Sequence, residues 1–306
     1  MPTQGSDVAR NEVTSKADPL RQWWGWLPPL LLLTIAIWFG RHLLPWEYMW
    51  ALAFGIFFSV KWLTWLRARH AVAHSAARSL AYLFLWPGMD ARSFLSDVRP
   101  AKPGLRNWCW ALLKTLLGAV LLWVCARHVP AGQPLIRGWV GLLGLVLLLH
   151  FGSFEIVALG WQALGVRAEP IMQAPAFSHS LSEFWGKRWN LGFRQLSYEF
   201  VFRPLHALVG VWAATLLVFL VSGLIHESVI SVPARGGYGL PTGYFILQGL
   251  GVLIERSPAG RALGLRGGIR GWTFMAVTTA APAFWLFHPP FVLRVMLPFM
   301  EAIRAL

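Results

Sequence analysis

The chain of 306 residues is 56% hydrophobic and only 13% charged, with a mean hydropathy of +0.53. This composition excludes a soluble enzyme, a disordered chain, a collagen-like repeat and a disulfide scaffold, and its 19 Trp and 20 Phe suit a bilayer protein that needs interfacial anchors. The net charge of +14 would indicate nucleic-acid binding in a soluble protein, but in this chain it predicts membrane topology and no nucleic-acid partner.

Apolar segments divide the chain into predicted transmembrane helices. Residues 1–20 are polar and predict a disordered cytoplasmic tail, followed by a single membrane-embedded domain over 21–306. Because about 20 apolar residues cross the hydrocarbon layer, the sequence predicts an all-α polytopic membrane protein of about eight helices. The predicted spans are 23–40, 45–66, 107–126, 139–164, 207–225, 241–255 and 271–288, with 289–306 as an eighth.

Two segments between the spans are unusual. Residues 79–87 are too few to cross a bilayer and stop at Pro87, which predicts a re-entrant or interfacial helix. Residues 165–206 form a long cytoplasmic loop that is rich in Trp, Phe and Pro. Irregular backbone is tolerated at membrane depth only where protein or an aqueous cavity satisfies it, so we expect this loop to be packed and to form a wall of a site.

The positive charges alternate between the two ends of the spans. Of the 27 Lys and Arg residues, 19 lie in segments 1–22, 67–106, 165–206 and 256–270. This positive-inside pattern predicts that these segments and the N-terminus are cytoplasmic. Short loops and high Arg, Ala and Leu content favour a bacterial inner membrane.

Ionisable residues inside apolar segments are candidates for functional roles, because each is costly there. Lys61 and Lys114 are expected to snorkel toward an interface. His150 and Glu155 lie in one predicted span, but five residues separate them by about 140° on a helix, so we expect each to hydrogen-bond a neighbouring helix instead. The sequence shows no Cys/His pattern of a metal site.

His226 is the strongest catalytic candidate, with Glu227 next to it at the end of a predicted span. Ser222 lies one helical turn earlier, where its hydroxyl would reach the imidazole. The near-neutral pKa of a histidine suits it to take a proton from an alcohol, although a membrane histidine beside a glutamate is more often a satisfied core group.

Residues 182–196, SEFWGKRWNLGFRQL, place cationic side chains among flat aromatic rings. Such residues suit a ligand with phosphates and an adenine ring, and they equally suit interfacial anchoring. Neither a Walker loop nor a dinucleotide-binding glycine motif accompanies them.

FWGKRWN at 184–190, followed about 36 residues later by SGLIHE at 222–227, resembles the membrane-bound O-acyltransferase superfamily, in particular its wax-synthase-like branch. The resemblance covers about residues 75–290, and YLFLWPGMDARSF at 82–94 also looks like a loop of bacterial members. Either motif alone is weak, whereas their order, spacing and multispan setting together are fairly specific.

The resemblance implies transfer of a long-chain acyl group from acyl-CoA to the hydroxyl of a lipophilic alcohol inside a membrane tunnel. His226 matches the essential histidine of the family, and Asn190 matches the residue that would polarise or position the thioester. The residues implied to line the acyl-CoA access are Phe184, Trp185, Lys187, Arg188 and Trp189. Acyl-CoA is then a co-substrate, and no permanently bound cofactor is expected.

The depth of His226 conflicts with a span at 207–225. Such a span would place His226 near the far leaflet, whereas the resembling family has its histidine deep in the membrane. Either residues 196–206 form an interfacial elbow and the span starts later, or the helix is tilted. We favour the elbow, because Pro204 is suited to the first turn of a helix. A rival arrangement has the acceptor arriving from the far side of the membrane.

Other functions compete with acyl transfer to a lipophilic alcohol. Transfer to an exported glycan would need a partner on the far face, and the chain has no sizeable loop there. A transporter or a lipid-binding membrane protein would use His150, Glu155 and His226 as relay groups, but no inverted repeat is visible. A serine hydrolase lacks the G-x-S-x-G motif. Fatty alcohols, sterols, diacylglycerol-like alcohols and small hydroxylated metabolites all remain acceptor candidates, and the oligomeric state stays open.

Overall fold

The computed structural model describes residues 23–40, 42–70 and 73–306, and these residues contain helices and no β-strand. The helices are α1 Leu27–Gly40, α2 Pro45–Ala68, α3 Ala76–Leu85, α4 Ala91–Leu95, α5 Leu105–His128, α6 Pro134–Ala163, α7 Leu181–Glu183, α8 Leu191–Ala234, α9 Leu240–Arg256, α10 Pro258–Ala262, α11 Gly268–Ala280, α12 Ala283–Leu286 and α13 Pro289–Ala302. The tail predicted for 1–20 lies outside the described residues.

Four of the described helices, α2, α5, α6 and α8, are long and apolar enough to cross a membrane. A fifth crossing results if Gly268–Leu286 and α13, which meet at 58°, form one bent span. The predicted spans at 23–40 and 241–255 coincide with helices of only 14 and 17 residues. The all-helical class is thus confirmed, whereas the count of eight and the tunnel stay predictions.

Side-chain caps start the short helices on the basic side of the chain. The Ser75 hydroxyl accepts a hydrogen bond from the Arg78 amide at the start of α3, and Asp90 does the same for Ser93 in α4. Helix α3 has ten residues, Ala76–Leu85, and ends before Pro87, so a short helix is present where the sequence predicts one at 79–87. Its re-entrant or interfacial position stays a prediction.

Two buried clusters define opposite ends of the helix assembly. One contains the end of α2 with the residues after α6, and its core is Ala68, Tyr82, Phe94, Ala158 and Val166. The other contains the end of α5, the start of α6 and the end of α8, and its core includes Leu122, Leu142, Ala234, Met296 and Met300. Neighbouring helices therefore run in alternating directions. The basic segments that follow α2 and α6 share one end, as the charge pattern requires.

The segment 165–206 is packed as predicted, but it is not a loop throughout. Val166 joins the first of these clusters, and Phe184 is buried in a third cluster near the middle of the molecule. From Leu191 onward the chain is helical and continues into α8. The only non-helical backbone inside Arg203–Ala234 is at Gly210, where φ is +78°. The elbow predicted for 196–206 was therefore placed too early, because glycine adopts this φ readily and a helix tolerates Pro204 in its first turn.

Candidate active site

His226 lies on α8, about 24 Å along the helix from the break at Gly210. Its ring is half-buried, and its Nδ1 lies 2.7 Å from the carbonyl oxygen of Ser222. Because a carbonyl only accepts, Nδ1 carries the proton in the neutral ring, and Nε2 keeps its lone pair. Among the described residues Nε2 has no hydrogen-bond partner, and it is not a fully enclosed atom. This nitrogen is therefore available as a proton acceptor.

Ser222 contributes to the histidine through its backbone and not through its hydroxyl. The Ser222 hydroxyl donates to the carbonyl of Val218 at 2.9 Å, one turn earlier on α8. The predicted hydroxyl–imidazole hydrogen bond is therefore wrong. A helical serine hydroxyl commonly returns to the carbonyl four residues before it, and that geometry points it away from the following turn.

Glu227 binds the start of α9 instead of the neighbouring histidine. Its carboxylate accepts hydrogen bonds from the amides of Gly239 and Thr242, at 2.8 and 3.2 Å, and from the Thr242 hydroxyl at 2.8 Å. The first amides of a helix lack partners within the helix, and an anion is favoured beside them. Glu227 therefore joins α8 to α9 next to the catalytic candidate.

Glycines let α8 and α9 approach closely at the level of His226. A Cβ atom on Gly223 would lie 2.8 Å from the Cα of Thr242, and one on Gly249 would lie 3.1 Å from the ring of Phe219. This contact brings the ring centroid of Phe245, on α9, to 4.3 Å from that of His226. One wall beside the imidazole is thus aromatic and comes from α9.

The rings of FWGKRWN pack on the same wall. Phe184 stacks on Trp189 with centroids 5.3 Å apart, and Trp185 lies edge-on to Phe184 at 5.0 Å. Trp185 also contacts Phe245 with centroids 5.8 Å apart. The motif and His226, which are about 36 residues apart in sequence, are therefore joined through a single intervening ring.

Two polar side chains of α9, neither of them predicted from the sequence, hold the motif and the residues just before it. The Glu255 side chain is buried, and its carboxylate accepts from the amides of Leu181 and Ser182 at 2.5 and 3.1 Å. The amide oxygen of the buried Gln248 accepts from the Trp185 indole at 3.3 Å, while its nitrogen donates to the Thr278 carbonyl at 2.7 Å. Cations are favoured in the last turn of a helix, so a glutamate there is unusual. This feature of the sequence could have identified Glu255 as a residue with a specific partner.

The two cations of the motif have different surroundings. Arg188 donates to the carboxylate of Glu183 at 2.8 Å and to the carbonyl of Gln173 at 3.3 Å. The amide of His179, followed by Arg188, holds the pKa of Glu183 below its usual value. Lys187 is exposed and has no ion pair within the described ranges. Both cations were predicted to face phosphate. The ammonium group of Lys187 has no ion pair among the described residues, whereas the guanidinium group of Arg188 is already bonded within the motif region.

Asn190 starts the long helix that leads to His226. Its backbone is left-handed, with φ at +40°, a conformation that asparagine tolerates better than most residues. Its side-chain oxygen accepts from the Phe193 amide at 3.2 Å, and the Phe193 ring lies 6.4 Å from that of His226. The oxygen of Asn190 is thus used as a helix cap, and its side-chain NH2 group remains available as a donor.

Three of the other four intramembrane candidates, Lys61, Lys114 and Glu155, bond to other parts of the fold. Lys61 does not snorkel, because it is fully buried, donates to the Gly88 carbonyl at 2.6 Å and lies 3.4 Å from the Tyr82 ring centroid. Lys114 forms an ion pair with Glu155, which confirms a partner on a neighbouring helix for that carboxylate. The hydrogen bond expected for His150 is absent from the described part of the chain, where its Nδ1 is buried without a partner. In the same part, no three His, Cys, Asp or Glu residues are grouped to hold a metal ion.

Residues 168–247 match the Membrane bound O-acyl transferase family. The chain is 30% identical over 148 residues to the probable long-chain-alcohol O-fatty-acyltransferase 7 of Arabidopsis thaliana, and the aligned residues are 42% of each protein. It is 31% identical over 102 residues to the long-chain-alcohol O-fatty-acyltransferase of Simmondsia chinensis, covering 30% of this chain and 29% of that protein. The diacylglycerol O-acyltransferase 1-1 of Oryza sativa subsp. japonica is 26% identical over 142 residues, which are 46% of this chain and 22% of that protein.

The matches span less than half the length of these curated relatives. The family match nevertheless contains both FWGKRWN and His226, which the fold joins through Phe245. The relatives confirm the predicted resemblance, and the long apolar helices agree with a membrane-bound family. The chain is therefore an integral membrane protein that is similar, over the matched segments, to the membrane-bound O-acyltransferase superfamily, and in particular to its long-chain-alcohol O-fatty-acyltransferases.

Proposed function

We propose that this protein is an O-acyltransferase that moves a long-chain acyl group from acyl-CoA to the hydroxyl of a lipophilic alcohol, forming a wax ester or a related neutral lipid. The observation that carries the proposal is the open Nε2 of His226 beside the aromatic wall that FWGKRWN shares with α9. The names of the relatives, which specify long-chain alcohols and diacylglycerol as acceptors, support the same reaction.

His226 is the general base of the proposed reaction. Nε2 takes the proton of the alcohol while the alcohol oxygen attacks the thioester carbon, so that a C–O bond forms and the C–S bond then breaks. The departing CoA sulfur receives the proton from the imidazolium. The carbonyl of Ser222 accepts from Nδ1–H throughout and stabilises the charged ring, and such base catalysis contributes about 10² to 10⁴ in rate.

Asn190 supplies a donor in this mechanism. Its side-chain NH2 group polarises or positions the thioester carbonyl, while its oxygen stays bonded to the Phe193 amide. One hydrogen bond to a developing oxyanion contributes about 10² to 10³ in rate. A cap fixed at a helix start is suited to this role, because its orientation does not change when substrate arrives.

The motif receives the acyl-CoA donor. Phe184, Trp185 and Trp189 form the aromatic wall of the access path, and Lys187 and Arg188 supply charge-assisted hydrogen bonds to phosphate. Because acyl-CoA is a cytosolic metabolite, the basic ends of the helices face the cytoplasm in this proposal, with the N-terminus on the same side. The bacterial inner membrane stays a prediction, since the relatives named above are plant proteins.

The test is a two-substrate assay of the full chain in detergent. Palmitoyl-CoA is supplied with hexadecanol, dioleoylglycerol or a sterol, and both free CoA and ester are measured. We expect ester with at least one acceptor and a loss of at least about 10²-fold in kcat for H226Q. The matched control is H128Q, since His128 makes the same bond to the carbonyl four residues earlier but is exposed at the end of α5. Ester that is independent of His226, or no ester with any acceptor, refutes the proposal.

A further inference from the structure

A groove of about 540 Å³ opens at the end of the molecule opposite the basic segments. It lies where the start of α2, the end of α8 and α13 meet, far along α8 from the motif. Its apolar lining includes Leu44, Trp46, Pro233 and Pro298, and its polar lining is Arg235 and Arg294. The volume is within the range of small-ligand sites, and tryptophan and arginine are typical of a membrane interface.

Two guanidinium groups meet at this groove although its surroundings hold few cations. Segments 41–45, 127–138 and 226–240 contain only four Lys or Arg residues, and the described parts of these segments lie at this end. One of them is Arg235, which is exposed and makes no side-chain hydrogen bond within the described ranges. Arg294 donates through Nη1 to the carbonyls of Ala234 and Arg235, each at 3.1 Å, and its remaining N–H groups are unpaired among those residues.

Two carboxylates on helices that line the groove, one on α2 and one on α8, are bonded elsewhere. Glu47 accepts from the Leu44 amide at 3.0 Å, and Glu227 is bonded to the start of α9. Neither Arg235 nor Arg294 forms an ion pair with a described residue. The groove therefore has a mainly apolar lining and two arginines whose positive charge no described carboxylate pairs with. An apolar lining with a cationic rim complements a molecule that has an anionic head and a hydrocarbon chain.

We propose that the groove is a binding site for an anionic phospholipid. The phosphate lies between the guanidinium groups of Arg235 and Arg294, and one acyl chain lies along Leu44, Trp46 and Pro298. The site is separate from His226 and does not depend on the acyl-transfer reaction. A free phosphate ion would use the two arginines but would leave the apolar walls in contact with water, so the observations favour the lipid.

The test is a lipid titration of the full purified chain, read by native mass spectrometry. Dioleoylphosphatidylglycerol, dioleoylphosphatidylcholine and water-soluble glycerol 3-phosphate are compared. We expect dioleoylphosphatidylglycerol to bind at least about tenfold more tightly than dioleoylphosphatidylcholine. We expect glycerol 3-phosphate not to bind in the same concentration range. Arg294 also holds the end of α8, so the substitution that carries the test is R235Q.

R235Q is expected to weaken phosphatidylglycerol binding at least about tenfold without changing its melting temperature in lipid-free detergent. The matched control is R266Q, which removes the same charge from an exposed arginine at the opposite end and is expected to bind as the natural chain does. Equal binding of both phospholipids, equal weakening by R235Q and R266Q, or binding of glycerol 3-phosphate as tight as that of the lipid overturns the proposal.

Discussion

Replacing Gly223 by alanine tests the packing that places an aromatic wall beside His226. The new Cβ would lie 2.8 Å from the Cα of Thr242, whereas ordinary contact begins near 3.4 Å, so the two helices must separate by about 0.6 Å. The obstacle is backbone of α9, and no side-chain rotation relieves it. Overpacking of this kind costs about 1 to 3 kcal/mol, while the helix propensity of alanine returns up to about 1 kcal/mol.

The same displacement reaches the proposed site, because Gly223 is less than one turn from His226 and Phe245 follows Thr242 by three residues. A misplacement approaching 1 Å at a reacting group lowers the rate by up to about 10²-fold. We therefore expect G223A to lower both the melting temperature and kcat for ester formation, with a smaller change in KM. Thermal unfolding in detergent and the two-substrate assay measure these effects.

The matched control is G160A, which makes the identical change in the interior of α6, where a Cβ meets no atom within 4 Å. This variant is expected to keep its activity and to gain slightly in stability from helix propensity. If G223A retains the melting temperature and turnover of the natural chain, α8 and α9 do not pack as described, and the argument for the aromatic wall fails.

Three further predictions concern the polar residues around the motif. E255Q is expected to cost about 1 to 3 kcal/mol in thermal unfolding, because the buried amide of Leu181 and the half-buried amide of Ser182 lose a charged acceptor. E301Q at an exposed position should cost nothing measurable. K187Q is expected to raise the KM for acyl-CoA without changing the melting temperature. R188Q is expected to raise this KM and also to lower the melting temperature, because Arg188 forms an ion pair with Glu183. Equal melting temperatures of the two variants would contradict a stabilising role of that ion pair. Since the pKa of Glu183 is lowered in the folded state, its contribution to stability is intact above the ordinary pKa of a glutamate and is lost as the pH falls through the lowered pKa. Melting temperatures measured down to acidic pH should therefore fall less steeply for E183Q than for the natural chain.

Much of the helical framework was predictable because burying a backbone in hydrocarbon leaves few alternatives to a helix. The predicted span 45–66 corresponds to α2 at Pro45–Ala68, and the short segment 79–87 corresponds to α3. The break in α8 was predicted about one turn or more too early. The break lies at Gly210, where the backbone has a positive φ that glycine adopts readily, and Pro204 alone carries no information on that position.

The individual polar contacts were not predictable in the same way. Ser222 was predicted to bond the imidazole, and Lys61 was predicted to reach the membrane interface. The structure gives both side chains other partners, at the carbonyls of Val218 and Gly88. A polar group in an apolar medium bonds to whatever acceptor or donor the fold brings within reach, and that choice is long-range.

The amino-acid sequence by itself determined the membrane setting, the helical class and the identity of the two motifs, because hydrophobicity, charge and residue spacing are properties of the chain alone. Only the tertiary structure decided that Phe245 joins the motif to His226, that Glu255 and Gln248 hold the motif, and that two arginines meet in one groove. These contacts connect residues far apart in the chain, and they exist because close helix packing at small residues fixes the relative register of helices.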